Sequence, residues 1–145
     1  MMFLMDTNVI SEVRKGSRCD AHVRDWYSFV DEAQLFISSL SIGEIRRGIE
    51  LARRRGDLPQ ADTLESWLET VRAQFSSRIL PVDDTVAERW GQLSAIRPIP
   101  VIDGLLAATA IVHNLVLATR NVADVDGLGS TILNPFLPAT GEDKT

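Results

Sequence analysis

Phe3-Leu4-Met5-Asp6-Thr7-Asn8 decides how this chain is read. Three apolar residues make a short buried strand, and the acid that ends it stands at the rim of a sheet. Open α/β sheets collect ligands and reactive groups at the carboxyl ends of their strands. Beyond this stretch, strand-like and helix-like segments alternate. That order predicts an α/β fold of three layers, a mostly parallel twisted sheet with helices on both faces. Val9, Ile10 and Val13 predict a short helix, and a second is expected from Asp20 to Glu32. Leu35-Phe36-Ile37 reads as strand two. Ser41 with Glu44 three residues on fits a capping box at the start of the next helix.

That helix turns Ile42, Ile45, Ile49 and Ala52 inward, and Gly56-Asp57-Leu58-Pro59 ends it. Leu64, Trp67, Leu68, Val71 and Phe75 follow at amphipathic helical spacing, so a helical hairpin projecting from the sheet is expected. Ile79 to Val82 reads as a strand and Asp84 to Arg97 as a helix. Pro98 and Pro100 keep the approach to Asp103 extended. Gly104 to His113 is apolar nearly all round, as a buried helix would be. Leu115 to Ala118 is the clearest buried strand, and Thr131-Ile132-Leu133 fits an edge strand.

The chain has 145 residues, 45% of them hydrophobic and 24% charged, with a net charge of −5. This suits one soluble domain with a single core. The acidic balance argues against wholesale electrostatic binding to nucleic acid but leaves room for a local basic patch. Cys19 is the only cysteine, which rules out an internal disulfide and a thiolate metal cluster. No apolar segment reaches the roughly 18 residues needed to span a bilayer. A cytoplasmic protein without membrane contact is expected.

Four acids stand at comparable chain transitions: Asp6 at the end of strand one, Glu44 near the start of the Ser41 helix, Asp103 at the start of the apolar helix, and Asp124 just past Leu115 to Ala118. In a parallel sheet, strand ends and helix starts share one edge, so all four are able to converge. Crowded carboxylates repel one another, and a divalent cation relieves that cost. Oxygen ligands without His or Cys suit Mg²⁺, or Mn²⁺ in its place, rather than Zn²⁺. Such a centre activates water for in-line attack at phosphorus. Taken singly, each acid has a plainer role. Asp6 and Asp103 are good helix N-caps, Glu44 completes a capping box, and Asp124 suits a turn, with Asp126 as its competitor.

The order of the motifs gives a more specific signal. Met5-Asp6-Thr7-Asn8-Val9-Ile10-Ser11-Glu12 resembles the opening motif of PIN-domain proteins. Ser41-Ile42-Gly43-Glu44-Ile45 with Arg47-Gly48 is similar to the second, Ile102-Asp103-Gly104-Leu105-Leu106-Ala107-Ala108-Thr109-Ala110 to the third, and Leu117-Ala118-Thr119-Arg120-Asn121 followed by Asp124 to the fourth. The resemblance is strongest to the VapC and FitB-like ribonuclease toxins of toxin–antitoxin pairs. It runs from residue 3 to about 125 and implies a PIN-like fold, so a PIN domain is expected over residues 1–137, while Pro138 onward reads as a flexible tail at 138–145. It also implies that Asp6, Glu44, Asp103 and Asp124 ligate the metal, supported by Asn8 and Thr119. One departure is visible, since Val125 stands where the family commonly has Phe.

The expected activity is Mg²⁺-dependent endoribonuclease cleavage, with single-stranded RNA as substrate. The expected partners are a DNA-binding cognate antitoxin and a second copy of the chain in a homodimer. Two other classes compete. One is a PIN-like binding module without catalysis. The other is an aspartyl-phosphate protein of HAD or receiver type, which needs a late lysine, whereas this chain has only Lys15 and Lys144. His22 and His113 read as surface or helix-end residues, Cys19 as inert, and Trp26, Trp67 and Trp90 as core or interface residues. Arg46, Arg47 and Arg53 to Arg55 form a solvated helix face or a contact for phosphate or an acidic partner.

Overall fold

Runs of two to four mostly apolar residues form each strand, and longer amphipathic runs form most of the helices between them. The computed structural model describes residues 1–139. It begins with β1 (Phe3–Met5), α1 (Thr7–Val13), α2 (Ala21–Phe29) and β2 (Leu35–Ser38). The hairpin α3 (Ser39–Arg54) and α4 (Leu58–Phe75) follows, then β3 (Ile79–Leu80), α5 (Asp84–Ser94) and α6 (Val101–Val112). The last elements are β4 (Val116–Ala118), the single turn α7 (Val122–Val125) and β5 (Ile132–Leu133). The expected tail lies outside the described residues from 140 onward.

All five strands are parallel, in the order β3-β2-β1-β4-β5. Phe3 pairs with Leu35 on one side and Val116 on the other, and Met5 reaches Ala118. The chain builds outward from β1 in one direction and from β4 in the other. The crevice at the carboxyl ends of β1 and β4 is therefore the switch point at which α/β sheets place their ligands. Side chains alternate across the sheet. Leu4 and Leu117 pack with Val86, Leu93, Leu106 and Ala110 of α5 and α6. Phe3, Met5, Leu35 and Ile37 pack with Val9, Ile10, Val71 and Phe75 of α1 and α4. The three layers follow directly from this alternation.

Two expected helix starts move. Ser38, not Ser41, caps α3, its Oγ accepting the Leu40 amide at 3.0 Å. Pairing of Ser38 with Leu80 fixes the end of β2, and the helix begins at the next residue with no loop between. Ser41 thus sits within the first turn and Glu44 in the second, so the capping box does not form. Asp103 is likewise not an N-cap. Pro100, held extended at φ −57° and ψ 137°, is the last residue before α6, which leaves Asp103 inside the first turn.

The hairpin is half docked and half projecting. Ile42, Trp67, Val71 and Phe75 join the sheet's core. Farther out, Ile45, Ile49, Ala52, Ala61 and Leu68 close a small core between the two helices alone. Arg46 makes a bidentate pair with Glu65 across them, at 2.7 and 3.2 Å. At the tip Gly56 takes φ +81°, a left-handed conformation that glycine adopts without a Cβ clash. Leu58 and Pro59 already belong to α4, since Pro is tolerated in a first turn, where the N–H has no helical partner.

Candidate active site

Asp6 ends β1 and begins α1. Its extended backbone (φ −66°, ψ 156°) makes it the N-cap, with Oδ1 accepting the Thr7 amide at 2.6 Å. Oδ2 accepts the hydroxyl of Thr119, the residue after β4, at 2.8 Å, and the Asn8 amide at 3.3 Å. The Asp6 amide donates to Ala118 at 2.9 Å, so the two strand ends are locked together. Asn8 also accepts from the Arg120 amide through Oδ1 at 3.4 Å. Asn8 and Thr119 thus both donate a hydrogen bond to the same Asp6 oxygen. Asp6 is only 6% exposed. Burial raises its carboxyl above the usual range, against the lowering effect of the Thr119 hydroxyl and the backbone amides.

Asp103 approaches from α6 and Asp124 from α7. Burial, then the charges of Asp6 and Asp124, together with a hydrogen bond to Asp124, push Asp103 up to about 6, opposed by the Asn121 side chain. Asp6 and Asp124 thus lie near enough to Asp103 for their charges to act on it. Asp126 ends the α7 turn, is exposed, and offers its carbonyl to Arg97. Val125 is fully buried in the core, so the departure at this position is one of packing.

Glu44 joins the site by way of Thr7. The Thr7 hydroxyl donates to Glu44 Oε1 at 2.7 Å and lies 2.8 Å from Ser41 Oγ. The contacts of Thr7 and Ser41 with Glu44's neighbourhood were not legible in the sequence. A signal existed for Ser41, because it falls on the buried stripe with Ile45, Ile49 and Ala52, and a polar group there needs a partner. Thr7 is the first residue of α1, and nothing in its sequence setting points to α3. Asn121 was also passed over. Its backbone N–H donates to Thr119 Oγ1 at 3.0 Å.

A groove of about 490 Å³ opens beside Glu44, lined by Leu40, Arg47, Val82 and Ile102 among others. Arg46 is paired with Glu65, and Arg53 with Glu50. Arg47 instead lines this groove. The histidines stay out of the site: His22 lies in the first turn of α2, and His113 caps the C-terminus of α6. Cys19 is buried, and its thiol is raised by burial and by Glu12 and Asp20, which suits an inert residue. Lys15 pairs with Glu12 at 2.9 Å on α1. No helix of the described residues is long and apolar enough to cross a membrane.

The donor set fits a hard divalent cation. It is all oxygen, and the mutual repulsion of Asp6, Asp103 and Asp124 is what such an ion relieves. Among the described residues no three acids are already gathered as a ready-made cage. Mg²⁺ does not require one, since it is commonly held by one or two carboxylates with waters completing its shell.

Comparison with known proteins places this geometry in a family. The PIN domain matches residues 3–123. The chain is 32% identical to VapC ribonuclease Y4jK of Sinorhizobium fredii, covering 95% of this chain and 100% of the relative. It is 30% identical to Toxin FitB of Neisseria gonorrhoeae, over 93% and 99% of the two chains. The structure of FitAB bound to a DNA fragment superimposes with a TM-score of 0.83 at 28% identity, covering 97% of this chain and 99% of that one. With its acids at the switch point of a five-stranded parallel sheet, the chain belongs to the PIN-domain family, among proteins of the VapC and FitB type.

Proposed function

We propose that this protein is the toxin of a toxin–antitoxin pair and acts as a Mg²⁺-dependent endoribonuclease in the cytoplasm. The observation that supports the reading is Asp6 at the β1/β4 crevice, held there by the Thr119 hydroxyl and the Asn8 amide, with the charges of Asp6 and Asp124 felt at Asp103. These three acids and Glu44 would hold the metal, and Mn²⁺ would serve in its place. When bound, the ion supplies Lewis acidity that lowers the pKa of water and neutralises charge at the scissile phosphate. Thr119 and Asn8 orient Asp6, and Thr7 orients Glu44. Asp6 or Asp103 receives the proton of the attacking water.

Single-stranded RNA fits best, because its backbone bends into a narrow cleft. Arg47, which lines the groove beside Glu44, would meet a phosphate of the RNA. The partner reading draws on the similarity to FitAB, solved on a DNA fragment. A DNA-binding antitoxin would cover the cleft, and the active unit would be a homodimer. A PIN-like binding module without catalysis is the second reading.

Cleavage of labelled RNA with Mg²⁺, with EDTA, and by Asp6→Asn and Asp103→Asn separates the two. The expected result is cleavage that EDTA abolishes and that each variant lowers by about a hundredfold or more. Undiminished cleavage in both variants would overturn the mechanism. RNA binding without cleavage by the wild type would establish the second reading.

A further inference from the structure

Asp124 rides on the weakest element of the site. α7 is a single turn of four residues, far below the length at which a helix holds itself. Its N-cap, Asn121, makes no side-chain capping bond, and of its residues only Val125 is buried. The carbonyls at its C-terminal end have no partner within the turn. Arg97 supplies one. From the loop between α5 and α6, its Nη2 donates to the carbonyls of Asp126 at 2.8 Å, Asp124 at 3.3 Å and Ala123 at 3.5 Å. Nη1 donates to Pro98 at 3.3 Å, which ties the guanidinium back to its own loop. A fixed cation at a helix C-terminus also meets the negative end of the peptide dipoles.

We propose that Arg97 is a positioning residue: it clamps the α7 turn against the α5–α6 loop and thereby holds the Asp124 carboxylate opposite Asp103. It touches no substrate and acts through backbone. The same loop leads directly into α6, so one side chain sets the spacing between the elements that carry two of the acids. A guanidinium suits the task because its planar fork meets several carbonyls at once, whereas an ammonium is a single point of donation. The consequence for catalysis rests on the ribonuclease reading; the clamp itself does not.

The test compares wild type, Arg97→Lys and Arg97→Ala by amide hydrogen exchange, Mn²⁺ titration and RNA cleavage. In Arg97→Ala, amides 122–126 should exchange at least about tenfold faster while the sheet amides keep their protection. Mn²⁺ affinity should fall about five- to tenfold, and kcat about tenfold with KM little changed. Arg97→Lys should recover part of each effect, and it keeps the comparison available if the alanine variant does not fold. On an Asp124→Asn background, Arg97→Ala should cost no further Mn²⁺ affinity, because the two act through one carboxylate. Unchanged exchange at 122–126, or a full additional loss of Mn²⁺ affinity in the double variant, would overturn the proposal. Loosened exchange in a protein whose wild type cleaves no RNA would sustain the clamp and reject the ribonuclease reading.

Discussion

As the N-cap of α1, Asp6 accepts a backbone amide through one oxygen and the Thr119 hydroxyl through the other. The capping role expected of it and the site role therefore coexist in one carboxylate, and Asn, an equally good cap, removes the charge while sparing the helix start. Asp103 gives the site its pH dependence. Its carboxyl rises from 3.8 to about 6 on folding, so the folded state holds the proton more tightly than the unfolded one. That contribution to stability is fully present below about pH 4 and is lost as pH rises through about 6. Metal-free protein in EDTA should accordingly show a melting temperature that falls between pH 4 and 7 relative to Asp103→Asn, and scanning calorimetry of the pair checks it. A difference that does not change with pH would refute the assignment. At this scale the sequence showed which acids stand at strand ends and helix starts. It did not show Thr7 bridging to Glu44, because that contact depends on how α1 and α3 pack rather than on any local pattern.

Among the elements, α6 owes its position to Gly104. A Cβ there would lie 2.7 Å from Ile99 Cδ1 and 3.1 to 3.2 Å from the Trp90 ring. Glycine is what allows α6 to sit this close to α5, and Asp103 is the residue before it. Gly104→Ala would normally gain about 1 kcal/mol of helix propensity, but overpacking costs about 1–3 kcal/mol. A net loss of about 1 kcal/mol in urea unfolding is expected. A gain in stability would show that the Ile99 and Trp90 side chains yield freely. Most strand and helix identities were legible because the apolar runs of the strands are short and most helical stretches are longer; the four-residue turn α7 carries too few residues to show a pattern. The starts of α3 and α6 were not legible. At α3 several neighbouring serines offer equivalent caps, and strand pairing by Ser38 chose among them. At α6 the helix begins immediately after Pro100, before any side chain that caps.

In the whole molecule, β1 serves both cores, with Leu4 on one face and Phe3 and Met5 on the other. Neither face is able to come apart without disturbing the other, so unfolding should be a single cooperative transition. Trp26 and Trp67 report on the face covered by α1 and α4, and Trp90 on the face covered by α5 and α6. Variants retaining one tryptophan each, with the others changed to Phe, should give the same m-value and, by fluorescence and circular dichroism, coincident midpoints within each variant. Separated midpoints within a variant would reveal independent halves. The parallel sheet was legible from the alternation of elements, but the strand order β3-β2-β1-β4-β5 was not, since lateral neighbours are chosen by side-chain fit between distant segments. The hairpin adds a consequence of a different kind. Its outer half closes on itself through Ile45, Ile49, Ala52, Ala61 and Leu68, while Glu44 lies near the start of α3 and the turn at Gly56 joins the far ends of the two helices. Whole helical turns added or removed at that tip would leave all four acids in register, which makes this arm the part of the chain most free to diverge in length while the chemistry stays fixed.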